Sequence, residues 1–218
     1  MIKIDKDIKV WITSDTHYSH KNICRGTTNW RLPDGLIPEE QTRPFETIDK
    51  MNAGIVNNIN SVVGQDDVLI HLGDWSFGGF ENIEEFYHRL ICKNIHLILG
   101  NHDHHIDRNR SDIKKLFTTV AWFEQFEYQG ETLECMHYPI SSWNALRKGR
   151  IHLHGHCHLP NHLKISNGRR MDVGLDGHPE FRPYDLHREV INPLKRLQIG
   201  SELGALDHHI DLLGHEKQ

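Results

Sequence analysis

Five short motifs concentrate the reactive side chains of this chain: Asp15-Thr16-His17, Gly73-Asp74, Gly100-Asn101-His102-Asp103, an isolated His137, and Gly155-His156-Cys157-His158. Together they offer carboxylate oxygen, amide oxygen and imidazole nitrogen. That mixture suits Mn²⁺, Fe, Zn²⁺ or Ni²⁺ and argues against copper(I) or an iron–sulfur cluster. In extended chain, residues two apart face the same side. Asp15 and His17 can therefore present two ligands to one point, as can His156 and His158. Cys157, between the latter pair, should point away and is not counted as a ligand. The remaining set of Asp15, His17, Asp74, Asn101, His137, His156 and His158 exceeds the four positions of a tetrahedral zinc. Two metals sharing a bridging carboxylate accommodate it.

The elements that must position these motifs alternate between strand and helix. Residues 9–14 (KVWITS), 67–72 (DVLIHL) and 94–99 (NIHLIL) read as buried strands, each ending at one of the first three motifs. Between them, Phe45, Ile48, Met51, Ile55, Ile59 and Val62 recur at helical spacing until Gly64, and residues 81–90 form a shorter helix with Ile83, Phe86 and Leu90 on one face. The second half reads as mostly β: a hairpin of residues 119–128 and 131–137 about Gln129-Gly130, then strands at 151–154, 171–175 and 186–191. A terminal helix is expected from Gly200 onward, carried by Leu203, Leu206, Ile210 and Leu213. Residues 18–43 hold Gly26, Pro33, Gly35 and Pro38 and no periodicity; a structureless stretch of that length is a candidate functional loop. The fold class is α/β. In such sheets ligands gather outside the carboxyl ends of the strands, so the motifs should converge on one crevice.

With 218 residues, 37% apolar and 25% charged, the chain has the composition of a single soluble globular domain spanning 1–218. There is no apolar run of membrane-spanning length, and the N-terminus lacks the pattern of a signal peptide. Cytoplasmic location and reduced cysteines follow as expectations for the four scattered residues Cys24, Cys92, Cys135 and Cys157. A formal net charge of -5 argues against a broad nucleic-acid-coating surface. Neither a membrane partner nor long nucleic acid is expected.

The ordered motifs resemble those of the calcineurin-like metallophosphoesterase superfamily, D-x-H, G-D, G-N-H-D/E, H and G-H-x-H, spread over about two thirds of the chain from Asp15 to His158. Flanking text (DTHYSHKNI, MHYPISSW, MDVGLDGHPEFRP) is similar to a compact branch of small phosphoesterases from bacteria and phages. The resemblance implies a two-sheet β-sandwich flanked by helices, with a dinuclear centre at one edge. It further implies that Asp15, His17, Asp74 and His158 hold one metal and Asp74, Asn101, His137 and His156 the other. Mn²⁺ is the first choice, with Fe, Zn²⁺ or Ni²⁺ as alternatives. His102 would serve as the non-ligand histidine beside the phosphate, and Asp103 would orient it. The implied activity is hydrolysis of a small, nucleotide-like phosphodiester or phosphomonoester by a water activated between the metals. The intact ligand set weighs against a catalytically silent scaffold, and the acidic balance against a nuclease. Departures at Tyr18 and at Trp75-Ser76-Phe77-Gly78 set the chain apart from serine/threonine protein phosphatases.

Beyond the ligands, four residues are candidates for substrate contact: His20 and Asn22 near the phosphate, Trp75 stacking on a base, and Arg147 meeting an anion. Each stands against a plainer reading as loop residue, packed aromatic or solvated charge. His71, His88, His96, His152 and His154 read as structural or surface histidines. The 18–43 segment is read as a lid that restricts access to small substrates.

Overall fold

In the computed structural model, residues 1–107, 111–166 and 168–197 are described. Eleven strands occur among them: β1 (Ile2–Lys3), β2 (Val10–Thr13), β3 (Val68–His71), β4 (Ile95–Ile98), β5 (Thr119–Ala121), β6 (Phe123–Tyr128), β7 (Glu131–Met136), β8 (Ile151–His154), β9 (Ile165–Ser166), β10 (Arg170–Asp172) and β11 (Tyr184–Asp185). They form two mixed sheets, ordered β11-β2-β3-β4-β5 and β1-β6-β7-β8-β10-β9. Within the first sheet β2, β3, β4 and β5 run parallel; within the second β7, β8 and β10 do.

Period-two alternation decides which residues face which layer. Val10, Ile12, Val68 and Ile70 meet Leu133, Cys135, Ile151, Leu153 and Met171 in a core between the sheets. Their neighbours Trp11, Leu69, Ile95 and Leu97 face the opposite way, into a second core under the helices. That core is closed by α1 (Ile48–Asn60) and α2 (Phe80–Arg89). Thr47 starts α1 because its side chain accepts a hydrogen bond from the Lys50 amide at 3.2 Å. Met51, Ile55 and Ile59 then bury one face of the helix, each worth about 1.5–3 kcal/mol. On the outer face of the second sheet, Trp143 and Leu146 cover a row that includes Glu134 and His152, with Trp143 packed against the His152 ring at 5.2 Å.

Two expected strands differ. The stretch 119–128 is divided at Trp122: β5 pairs with β4 in one sheet and β6 with β7 in the other, so the chain changes sheets there. Residues 186–191 form a π-helix rather than a strand. Asp185 explains this, since its carboxylate accepts from the His187 and Arg188 amides and caps a helical start. Leu186, Val190 and Ile191 bury together on one side of that turn. The 18–43 segment contains only one 3₁₀ turn, Glu39–Gln41, and isolated bridges. The expected helix beyond Gly200 lies outside the described residues. Among the described residues no helix is long and apolar enough to cross a membrane.

Candidate metal centre

All five motifs stand at carboxyl ends of strands. Asp15 follows β2, Asp74 follows β3, Asn101 and His102 follow β4, His137 follows β7, and His156 and His158 follow β8. The loops bend back sharply. Asp15, His17, Asp74, His156 and His158 all adopt positive φ, between 48° and 70°. A non-glycine residue there costs roughly 1–2 kcal/mol, and such strain concentrates at functional sites. Motif glycines permit the close approach: a Cβ on Gly155 would collide with Ser14 Oγ and Asp15 Oδ2, and one on Gly100 with the Asp74 carboxylate and amide.

Two groups of donor atoms result, Asp15 with His17 and His158, and Asp74 with His137 and His156; within each group they lie within 4.8 Å of one another. Asp74 joins the groups. Its Oδ2 stands 3.4 Å from His17 Nε2 and 3.6 Å from His137 Nε2, while its Oδ1 accepts the His102 amide at 2.9 Å. Asn101 Oδ1 lies 3.0 Å from His137 Nε2. The seven ligand candidates read from the sequence are thus brought together.

The donor chemistry fits cations. His137 Nδ1 donates to the Leu72 carbonyl at 2.7 Å, so its Nε2 carries the lone pair in the neutral ring. That lone pair faces Asn101 Oδ1, also an acceptor. His158 Nδ1 donates to Asp176 Oδ2 at 2.7 Å, which turns its Nε2 toward His17 Nε2 at 3.1 Å. Acceptor pairs at such distances repel unless a proton or a cation stands between them.

Burial sets the protonation trends. It pushes the Asp15 carboxyl up to about 7, with His158 opposing and Asp74 and Asp172 reinforcing. Burial, then His158 and Arg43, hold His17 well below the ordinary imidazole range; burial and His102 bring His20 down to about 4. Burial also disfavours charge on His158, but the Asp176 hydrogen bond and Asp15 outweigh it and raise its basicity.

The surrounding residues include two that sequence reading did not single out. Arg43 is buried; its guanidinium donates to the carbonyls of Asp15 (2.6 Å) and Thr16 (2.7 Å) and pairs with both Asp176 oxygens at 2.8 and 2.9 Å. Asp176 in turn holds His158. Burial alone would raise the Asp176 carboxyl, but Arg43 and His158 overcome it and keep it far below the usual carboxylate range. The only sequence signal was that Asp176 falls in the MDVGLDG text after the last motif.

The other expected site residues divide. The His102 ring lies 5.4 Å from that of His17 and 5.2 Å from that of Phe77. His20 is at the site as well, stacked on Phe77 at 3.9 Å and 5.2 Å from the His17 ring. Asp103 does not orient His102. Its two oxygens accept the amides of Asp74 (2.8 Å), Gly100 (2.8 Å) and Trp75 (2.9 Å), and no hydrogen bond joins it to the His102 ring among the described residues. It clamps the two turns instead. Trp75 is no substrate platform: fully buried in the helix-side core, it packs at a tilt against Phe86, ring centroids 4.4 Å apart, and donates to the Ile83 carbonyl at 3.3 Å. Asn22 shapes its own loop, accepting the Asn29 amide at 3.2 Å. Arg147 is half-buried on the 3₁₀ turn Leu146–Lys148, which packs over the outer face of the second sheet. A cleft of ≈ 700 Å³ opens beside His158 and Asp176, walled by Trp30, Phe45 and Phe181.

Comparison with known proteins agrees with this geometry. The family model for calcineurin-like phosphoesterases matches residues 8–216. An uncharacterized protein of Methanocaldococcus jannaschii is 30% identical over 157 residues, covering 71% of this chain and 72% of the archaeal one. The gene 66 protein of Mycobacterium phage D29 is 27% identical over 210 residues, covering 85% of this chain and 97% of the phage protein. Among solved structures, a protein of unknown function from Aquifex aeolicus shares the fold with a TM-score of 0.53 at 19% identity, over 81% of this chain and 95% of that one.

Proposed function

The chain belongs to the calcineurin-like phosphoesterase family, and on that premise we propose that it hydrolyses a small, nucleotide-like phosphodiester or phosphomonoester with two divalent ions, Mn²⁺ first among them. The observation that carries the reading is the Asp74 carboxylate, whose Oδ2 lies 3.4 Å from His17 Nε2 and 3.6 Å from His137 Nε2 and so links the two donor groups. Asp15, His17, His158 and Asp74 would hold one ion; Asp74, Asn101, His137 and His156 would hold the other. When bound, the pair supplies a water of lowered pKa and neutralises charge on the phosphoryl group.

The protein's own part is positioning and proton supply. Asp176 and Arg43 fix the His158 ring and the Asp15–Thr16 backbone, and Asp103 fixes both turns that carry Asp74 and Asn101. His102, half-buried beside His17, donates a hydrogen bond to a phosphoryl oxygen or a proton to the leaving oxygen, a contribution typically of ~10²–10⁴-fold. His20, Phe77 and Trp30 form an aromatic flank, with the His20 ring 3.9 Å from Phe77 and 6.1 Å from Trp30. The ≈ 700 Å³ cleft is of the size that takes small ligands, roughly 300–1,000 Å³. Its wall comes partly from the 18–43 segment, which supports reading that segment as the element that selects small substrates.

The test compares a bis-aryl phosphate with the matching aryl monoester, using metal-stripped protein resupplied with Mn²⁺ and Asp74→Asn as control. Mn²⁺-dependent turnover that disappears in the control supports the proposal, and the ratio of the two rates assigns diester or monoester preference. Bound metal without turnover of either ester or of a nucleotide panel would overturn it in favour of a binding scaffold. Trp30→Ala should shift the preference among nucleotide substrates; an unchanged profile would remove the 18–43 segment from the account.

A further inference from the structure

One cluster beside the centre belongs to neither donor group. His154 and Asp172 end β8 and β10 and are Cα partners across that parallel ladder. Their neighbours Leu153 and Met171 point into the core between the sheets, so His154 and Asp172 share the opposite face. Both are buried, at 1% exposure. The Gly155–His158 turn brings Cys157 back over them: a ring nitrogen of His154, the Cys157 sulfur and an Asp172 oxygen lie within 4.8 Å of one another.

The hydrogen bonding leaves this cluster incomplete. His154 Nδ1 donates to the Gly155 carbonyl at 3.0 Å, so Nε2 carries the lone pair; it is buried and has no partner. A buried acceptor left unpaired costs about 1–3 kcal/mol, and such groups in native proteins call for an explanation. The Asp172 oxygens accept the Gly174 amide (2.7 Å) and the Leu159 amide (3.2 Å), one each, and keep lone pairs to spare. Cys157 is exposed, unlike the buried Cys24, Cys92 and Cys135. The grouping is a nitrogen, a sulfur and an oxygen donor with access from solvent.

We propose that His154, Cys157 and Asp172 form a further cation site, distinct from the Asp74-linked centre, for a thiophilic divalent ion such as Zn²⁺. A donor set of thiolate, imidazole and carboxylate favours zinc over manganese or magnesium. Zinc bonds of roughly 2.0–2.3 Å put tetrahedral donors about 3.5 Å apart, so donors that lie within 4.8 Å of one another close on an ion by small side-chain rotations, for which the exposed Cys157 has the most freedom. Three protein ligands leave the fourth position to water. Binding releases the thiol proton to solvent and forms the metal–sulfur bond without any redox change. The ion would clip the turn bearing His156 and His158 onto β8 and β10, holding two residues of the main centre from behind.

Cobalt distinguishes this site, because the main centre contains no sulfur. The full-length, reduced, metal-stripped protein is titrated with Co²⁺ and read by absorbance and by bound-metal stoichiometry. The expected result is a sulfur-to-cobalt charge-transfer band in the near ultraviolet that Zn²⁺ displaces, that Cys157→Ser abolishes together with one equivalent of bound metal, and that Asp172→Asn weakens. Asp74→Asn should retain the band, since it alters the other centre. Absence of the band from the wild-type protein at saturating Co²⁺, or its survival in Cys157→Ser, would overturn the proposal.

Discussion

Replacing Asp103 by asparagine should cost stability and loosen the metal centre, although Asp103 is no metal ligand. Its carboxylate accepts three buried amides, those of Asp74 and Gly100 on Oδ2 and of Trp75 on Oδ1, at 2.8, 2.8 and 2.9 Å. Hydrogen bonds to a charged acceptor contribute about 1.5–3 kcal/mol each, and a buried donor left unpaired costs about 1–3 kcal/mol. Asparagine retains one acceptor oxygen. It can keep the Asp74 and Gly100 amides as weaker neutral bonds, but its amino group then meets the Trp75 amide donor to donor. The sum is a loss of about 3 kcal/mol, within the stability of most domains. The Asp74 turn, freed on one side, should also bind metal more weakly, by ~10–100-fold as for other residues that orient ligands. Urea unfolding of metal-free protein at about pH 8, paired with Mn²⁺ titration, reads both effects. That pH lies above the value of about 7 to which burial raises this carboxyl, so the wild-type side chain is ionised. A variant within about 1 kcal/mol of wild type, with unaltered Mn²⁺ affinity, would refute the clamp.

Asp176→Asn should weaken Mn²⁺ binding by ~10–100-fold, since it removes the carboxylate that fixes His158 at 2.7 Å and partners buried Arg43 at 2.8 and 2.9 Å; unchanged affinity in the same titration would remove Asp176 from the site. Burial lowers His152 to about 4, in keeping with ring nitrogens that donate to the Glu134 carbonyl and accept the Ile140 amide. The folded ring stays neutral while the unfolded one takes a proton below about 6.5, so stability is unaffected above that pH and is lost as pH falls toward 4. The difference of about 2.5 pH units corresponds to roughly 3 kcal/mol. Unfolding curves of wild type and His152→Gln at pH 7 and 4.5 should converge by that order as pH falls, and parallel pH profiles would contradict the assignment.

The metal centre was legible because its ligands sit next to strand ends, where local pattern and chemistry coincide in a few letters. Asp15, Asp74 and Asn101 each follow an apolar run that reads as a buried strand. What holds the ligands was not legible. Arg43 reaches Asp176 across 133 positions of sequence, and no period or motif connects an arginine at the end of an irregular loop with an aspartate after the last strand of the site. Trp75 illustrates the converse. Adjacent to a ligand, it looked available to substrate, yet the reversal at Asp74, φ 55°, carries the next side chain into the helix-side core. Residues 186–191 misled for a local reason, since three apolar residues in so short a stretch, Leu186, Val190 and Ile191, do not separate a strand from a helical turn until the Asp185 cap decides.

The strained backbone ties these observations together. Five candidate ligands adopt left-handed conformations that isolated residues of their type avoid. Aspartate and histidine enter that region more readily than most side chains, yet still rarely, so contacts with neighbouring groups must hold them there. The Asp103 carboxylate imposes it on Asp74, the Arg43 guanidinium on the Asp15–Thr16 carbonyls, and the Asp15 carboxylate on the His156 amide, which it accepts at 2.9 Å. The first joins the loops after β3 and β4, the second braces the loop after β2 and through Asp176 ties it to the turn after β10, and the last joins the two sheets. The arrangement makes ligand geometry a property of the sandwich as a whole: separating the sheets would release His156 and His158 from Asp15 before any ligand was altered. A sequence that kept every ligand but lost Arg43, Asp103 or Asp176 would therefore still match the motifs while lacking the means to hold them in register.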